Sequence, residues 1–180
     1  NIGLHSIILS KCGFEVDAYE PDPDTSIILN SNLKINNISN VLIKNQAVSG
    51  FEGKAEFLRI KGNITGNHIL GSKTKVYGDV DKYEVDVVPL SVLCDQYDFI
   101  KLDIEGAEDN AILSLDQNNF KNTDMIVEIH GAEKAKKIFE HLKKNKVSCY
   151  SQKNMWSEVL SFDQMPKDYT EGALFISLNK

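Results

Sequence analysis

Residues 1–23 read NIGLHSIILSKCGFEVDAYEPDP, and the order of features within them decides the fold. Leu4, Ile7 and Ile8 recur at helical spacing until Gly13, a residue type suited to the position just past a helix end. Phe14, Val16 and Ala18 then alternate with Glu15, Asp17 and Tyr19, the period of two expected of a strand. A glycine turn thus leads into a helix, and the helix into a strand that ends at Glu20 and is broken by Pro21. Open α/β sheets bind ligands beyond the carboxyl ends of their strands. An acid about 17 residues beyond Gly3, at such a strand end, is placed to accept hydrogen bonds from both hydroxyls of a ribose, and Glu20 is that candidate.

Working outward, residues 24–36 carry Ile27, Ile28, Leu29 and Leu33 on a second helix, and residues 41–48 return to strand character. From 50 to 88 the chain changes texture. Short β-rich pieces (KAEFLRI, KVYGDV, YEVDVVPL) surround the polar GNITGNHILGS, which predicts a β-rich insertion of hairpins with a mobile loop. Alternation then resumes: FIKLDI (99–104) reads as a buried strand, Ala107, Ala111 and Leu115 as one face of the next helix, and MIVEI (125–129) as another strand. Ala135, Ile138, Phe139 and Leu142 line one side of a further helix. KVSCYSQK and GALFISLNK close the chain as a strand pair within about 146–180, joined by a loop holding Trp156, Pro166 and Tyr169. Repeated strand–helix units with short joints predict an α/β fold, a mostly parallel sheet with helices on both faces. At 180 residues the chain reads as one domain spanning 1–180.

Composition narrows the function classes. The net charge is −6 with both signs interspersed, and Arg59 is the sole arginine, so no basic stripe or set of guanidinium forks is present to grip nucleic acid. Cys12, Cys94 and Cys149 are far apart and lack CxxC or Cys/His spacing, which indicates neither disulfides nor zinc but idle thiols in a reducing compartment. No apolar run approaches a membrane span and no signal peptide is evident, so the expected location is cytoplasmic, with no membrane partner.

The residues at the strand ends are unusually acidic: Glu20, then Asn45 and Gln46, then Asp103 and Glu105, then Glu128 with His130. Of a G-x-G-x-x-G dinucleotide turn only Gly3 is present. NIGLHS, VDAYEPDP, DFIKLDIEGAE and IVEIH, in this order, resemble the successive motifs of FkbM-type methyltransferases, which use S-adenosylmethionine on a Rossmann-like sheet. The resemblance covers nearly the whole chain and implies strand order 3-2-1-4-5-7-6 with an antiparallel last strand. It implies methyl transfer, most often to hydroxyl oxygens of sugars or secondary-metabolite scaffolds.

By the same resemblance Asn1 and Gly3 belong to the turn near the methionine part of the cofactor, Glu20 holds the ribose, and Asn45, Gln46 and Ala47 lie against the adenine. Asp103, Glu105 and Gly106 face the methionine end and the acceptor, and Glu128 and His130 line the acceptor side. Transfer from a sulfonium is an in-line displacement to which the protein contributes mainly alignment, while a hydroxyl acceptor must also lose a proton. His130 and Asp103, followed by Glu105, are the candidate bases. Structural readings stand beside these: Glu105 and Glu108 as acids in a helix first turn, Asp103 as its N-cap. His68, in the polar loop, is either part of a lid over the acceptor or simply solvated. Hard cations favour carboxylates such as Asp103, Glu105 and Glu128. Methyl transfer needs no metal, however, and none is expected.

Two other functions fit a similar sheet: a nicotinamide-dependent oxidoreductase, or a non-catalytic Rossmann-like binding module. The expected partner is a small-molecule hydroxyl acceptor. Before NIG the family carries a strand and a turn of roughly V-D-x-G-A, absent from this sequence, so the first central strand is expected to be missing from this chain. Then the strands ending at Glu20 and Asp103 close up directly, another segment or a partner chain in a homodimer fills the slot, or the sequence is a fragment.

Overall fold

A computed structural model describes residues 1–62, 66–72 and 79–178. The fold is mixed α/β, with parallel and antiparallel strand pairs. The chain forms two compact units, residues 1–47 with 53–87 and residues 48–52 with 88–180.

In the first unit, α1 (Leu4–Lys11) starts at Gly3, whose φ of 92° favours glycine, with a built Cβ standing a tight 3.1 Å from Leu29 Cγ. The helix ends as the spacing predicts, with the Gly13 N–H donating to the Ser10 carbonyl. β1 (Val16–Tyr19) follows, then α2 (Pro23–Ile35) and β2 (Val41–Lys44). Asp22 caps α2, accepting from the backbone N–H of Asp24 (2.9 Å) and Thr25 (3.4 Å), and Pro23 occupies the first turn, where a missing N–H costs nothing. β1 and β2 run parallel, Val16 opposite Val41 and Tyr19 opposite Lys44. Ala18, Leu29 and Leu33 form their core with Ile7, Ile38, Val41 and Ile43, while Ile27 and Ile28 of α2 face outward.

The strand expected over 41–48 is two strands: β2 stops at Lys44, and β3 (Ala47–Ser49) joins a different sheet. The break falls at Asn45, whose amide donates to Ser26 Oγ (2.6 Å) and to the Glu20 carbonyl (3.3 Å) instead of continuing the ladder. The insertion is β-rich as expected. β4 (Gly53–Ile60) pairs antiparallel with both β5 (His68–Ile69) and β6 (Val80–Pro89), and the sheet runs in the order β3–β6–β4–β5. Alternate residues Phe57, Val85 and Val87 turn inward against Ala47, and Tyr83 packs on Phe57 with ring centroids 5.7 Å apart. Most of the KVYGDV piece and residues 63–65 of the polar loop lie outside the described residues.

In the second unit, α3 (Leu90–Cys94), β7 (Phe99–Leu102), α4 (Glu108–Leu113), β8 (Asp124–Glu128), α5 (Ala132–Lys144), β9 (Ser148–Ser151), β10 (Ser157–Glu158) and β11 (Ala173–Ser177) build a five-stranded sheet ordered β10–β9–β11–β8–β7. β7 and β8 are parallel, and β11 runs antiparallel to both β8 and β9, as the resemblance implies for the last strand. β8 places Met125 and Val127 in the core with no exposed surface, and α5 buries Ala135, Ile138 and Leu142 on the face the spacing predicts. Among the described residues β1 pairs with β2 in the first unit, and β7 with β8 in the second.

The three cysteines are unbridged. Burial pushes the thiols of Cys94 and Cys149 up to about 12, which makes both inert. Among the described residues no helix is long and apolar enough to cross a membrane.

Candidate active-site loops

The carboxyl end of β1 is a braced corner. Glu20 is 7 % exposed; its Oε1 accepts from the Asp22 N–H (2.9 Å) and its Oε2 pairs with the amino group of Asn1. Its backbone is held as firmly, since the N–H donates to the Lys44 carbonyl and the carbonyl accepts from Ser26 Oγ (3.2 Å) and Asn45. Two residues on, Asp22 is 1 % exposed and gathers five donors. Besides the two cap bonds it accepts from Arg59 Nε (2.9 Å) and Nη2 (2.6 Å) and from Asn67 Nδ2 (2.7 Å). Burial opposes its ionisation, but the guanidinium and the cap N–H groups outweigh that and hold the carboxyl below its usual 3.8. Arg59 also reaches Asp24 (2.6 Å) and lies over the Tyr83 ring (5.1 Å), so the sole arginine ties β4 to the turn after β1.

Other residues expected at the cofactor have structural employment in this unit. Asn45 braces Glu20, Ala47 is packed with Phe57 and Val85, and Gly3 is the helix-starting turn. His68 is not solvated: it is 1 % exposed on β5, with Nδ1 2.7 Å from the Gly66 carbonyl. Its neighbour Asn67 explains this placement, since it bridges Asp22 and the Ile60 N–H (2.9 Å) and draws the segment inward.

The second cluster lies where β7 and β8 end. After Leu102 the chain passes through Asp103 and Ile104 to Glu105, a non-glycine residue at φ 55°, and Gly106 at φ 101°, before α4 begins. Neither structural reading of the first two acids holds, because α4 starts at Glu108 behind Ala107 with no side-chain cap. Asp103 instead pairs with Lys101 (2.9 Å). Glu108, in the first turn of α4, organises the loop. It is 1 % exposed, and its Oε1 accepts from the backbone N–H groups of Ile104 and Gly106, both at 3.0 Å, and lies 3.2 Å from His130 Nδ1. Lys134 donates to the Gly106 carbonyl from the other side.

The charges respond to this arrangement. Burial resists ionisation of Glu108, but His130 and the Gly106 N–H prevail and lower its pKa below 4.5. The Glu108 carboxylate in turn raises His130 above 6.5 against the opposing effect of burial. Burial, reinforced by the nearby Asp103 carboxylate, raises Glu128 above 4.5. His130 Nε2 lies 3.9 Å from Glu128 Oε1, and one ligand atom each of Asp103, Glu105 and His130 fall within 4.8 Å of one another, a set that could hold a metal ion. The structure therefore brings Asp103, Glu105, Glu128 and His130 together, as the sequence reading expects, around a carboxylate assigned no firm role there.

Parallel strands that end in acid-lined loops define an α/β protein of the kind that receives ligands at its strand ends. The family model described as Methyltransferase FkbM domain matches residues 1–162, and the chain belongs to this family; it is a methyltransferase. Comparisons with curated proteins and with solved structures gave no match. The nicotinamide oxidoreductase reading gives way to this membership.

Proposed function

We propose that the protein transfers a methyl group from S-adenosylmethionine to a hydroxyl oxygen of a small molecule, and that residues 1–180 serve as one Rossmann-like methyltransferase domain. The family match, which runs through both units, supports this reading. Glu20 is the residue proposed to hold the ribose. The observation that carries this is a carboxylate fixed in place at the end of a parallel strand by the Asp22 N–H, with its own backbone braced by Ser26 and Asn45. A rigid acceptor of this kind suits a vicinal diol, which offers two donors in fixed geometry.

His130, Asp103 and Glu105 are proposed to face the acceptor, with one of them taking the hydroxyl proton. Because Glu108 raises His130, a rate that climbs with pH as the imidazole loses its proton through the raised pKa is the signature of His130 in that role. The cofactor supplies the electrophilic methyl group; the chain's own residues orient the acceptor and hold its proton. Titrating the protein with S-adenosylhomocysteine tests the reading. Saturable micromolar binding that Glu20→Ala abolishes is the expected result. No binding at all would instead favour the non-catalytic module.

A further inference from the structure

We propose that Asp103, Glu105 and His130 form a binding site for one divalent first-row cation, of the Mn²⁺ type that accepts both carboxylate and imidazole donors. The proposal rests first on convergence. One oxygen from each acid and one imidazole nitrogen lie within 4.8 Å of one another, although they come from two different strand ends. Donors around such an ion sit about 2.0–2.2 Å from it, so opposite donors are roughly 4.2 Å apart. The cluster needs only a small side-chain adjustment to close. All three residues are partly exposed, so an ion can reach them.

A second observation is independent of the acids. A metal-binding histidine turns one nitrogen to the ion and gives its other N–H to a carboxylate that fixes the tautomer. His130 is placed for such an arrangement: its buried Nδ1 has no hydrogen-bond partner among the described residues and lies at ion-pair distance, 3.2 Å, from Glu108 Oε1, a carboxylate that is 1 % exposed and locked by two backbone N–H groups. The opposite nitrogen, Nε2, is therefore the one offered to the acids, with Glu128 Oε1 3.9 Å away. Glu108 is buried beyond any need of solubility, and its Oε2 has no hydrogen-bond partner among the described residues. Its carboxylate serves the orientation of His130 and the shape of the loop that carries Asp103 and Glu105.

Charge points the same way. The carboxylates of Asp103 and Glu105 share one corner with His130, and Glu128 Oε1 lies 3.9 Å from His130 Nε2. Lys101 pairs with Asp103 at 2.9 Å. Hard carboxylates with one imidazole suit a divalent ion with mixed tastes better than calcium, which prefers oxygen alone, or zinc in a thiolate site.

The test uses the whole protein and manganese chloride alone, with free Mn²⁺ read by electron paramagnetic resonance, and needs no cofactor, acceptor or activity. Its outcome is thus independent of whether the protein methylates hydroxyls. One saturable equivalent is expected. Asp103→Asn, Glu105→Gln and His130→Gln should each weaken it at least about tenfold, and Glu108→Gln, acting through His130, by about 10- to 100-fold. Glu133→Gln, on the outer side of α5, should leave it unchanged. The near-isosteric Asp103→Asn and the partly exposed Glu105→Gln keep the test valid if Glu108→Gln fails to fold. Absence of a saturable equivalent, or full-affinity binding by the folded Asp103→Asn and Glu105→Gln proteins, overturns the proposal.

Discussion

Replacing Asp22 by alanine removes five hydrogen-bond acceptances at once, and the cost can be assembled from its parts. Loss of the α2 cap costs about 1 kcal/mol. Removing one partner of a buried ion pair costs about 3–5 kcal/mol. Arg59 keeps 23 % of its side chain exposed and retains Asp24 at 2.6 Å, so the lower part of that range, or somewhat less, applies. The expected loss is therefore about 3–4 kcal/mol. Urea denaturation followed by far-ultraviolet circular dichroism would read it as a fall in midpoint of about 1–2 M, given slopes of about 2 kcal/mol per M. A double-mutant cycle with Arg59→Ala should return a coupling of about 1–3 kcal/mol. The contribution also has a pH signature. The carboxyl's folded pKa lies below 3.8, so its stabilisation is complete above that value and disappears as pH falls through the folded pKa. A loss under about 1 kcal/mol in Asp22→Ala, with no acid-dependent difference from the parent, would refute the reasoning, because it would mean the turn after β1 is not held by this carboxylate.

Two further outcomes concern the second unit. His130 is raised above 6.5, so its pairing with Glu108 stabilises the fold fully below that pH and is lost as pH rises through the folded pKa. An NMR titration of the His130 ring should show the raised value, and Glu108→Gln should bring it down; an unchanged value would separate the two residues. Gly50→Ala should destabilise by about 1–3 kcal/mol in thermal or urea unfolding, since the new Cβ would stand 2.4 Å from the Asn110 carbonyl oxygen and backbone would have to move.

Regular elements were legible in the sequence wherever a single periodicity governed them. α5 shows its apolar stripe because Ala135, Ile138 and Leu142 face one core, and β8 reads as a buried strand because Met125 and Val127 do. The 41–48 segment misled because every residue in it suits a strand, while the break at Asn45 arises from bonds to Ser26 and Glu20, residues distant in sequence. His68 misled for the same reason: a polar, glycine-rich setting reads as loop, but Asn67 has a buried partner in Asp22, 45 positions earlier. The acids and His130 of the second cluster could be found from their strand-end positions alone. The importance of Glu108 could not, because an acid in a helix's first turn has an ordinary electrostatic explanation. The clue was the preceding turn through Glu105 and Gly106, which leaves the N–H groups of Ile104 and Gly106 in need of a nearby acceptor.

One consequence of Glu108 reaches into how this chain can change over generations. A single oxygen serves two amides of the loop and the imidazole of His130. Shortening the side chain to aspartate would withdraw that oxygen from all three; glutamine would keep the reach but surrender the charge that His130 answers. Aspartate thus gives up all three duties and glutamine only the third, so position 108 has one conservative exit, and it leads through the loss of the charge that His130 answers.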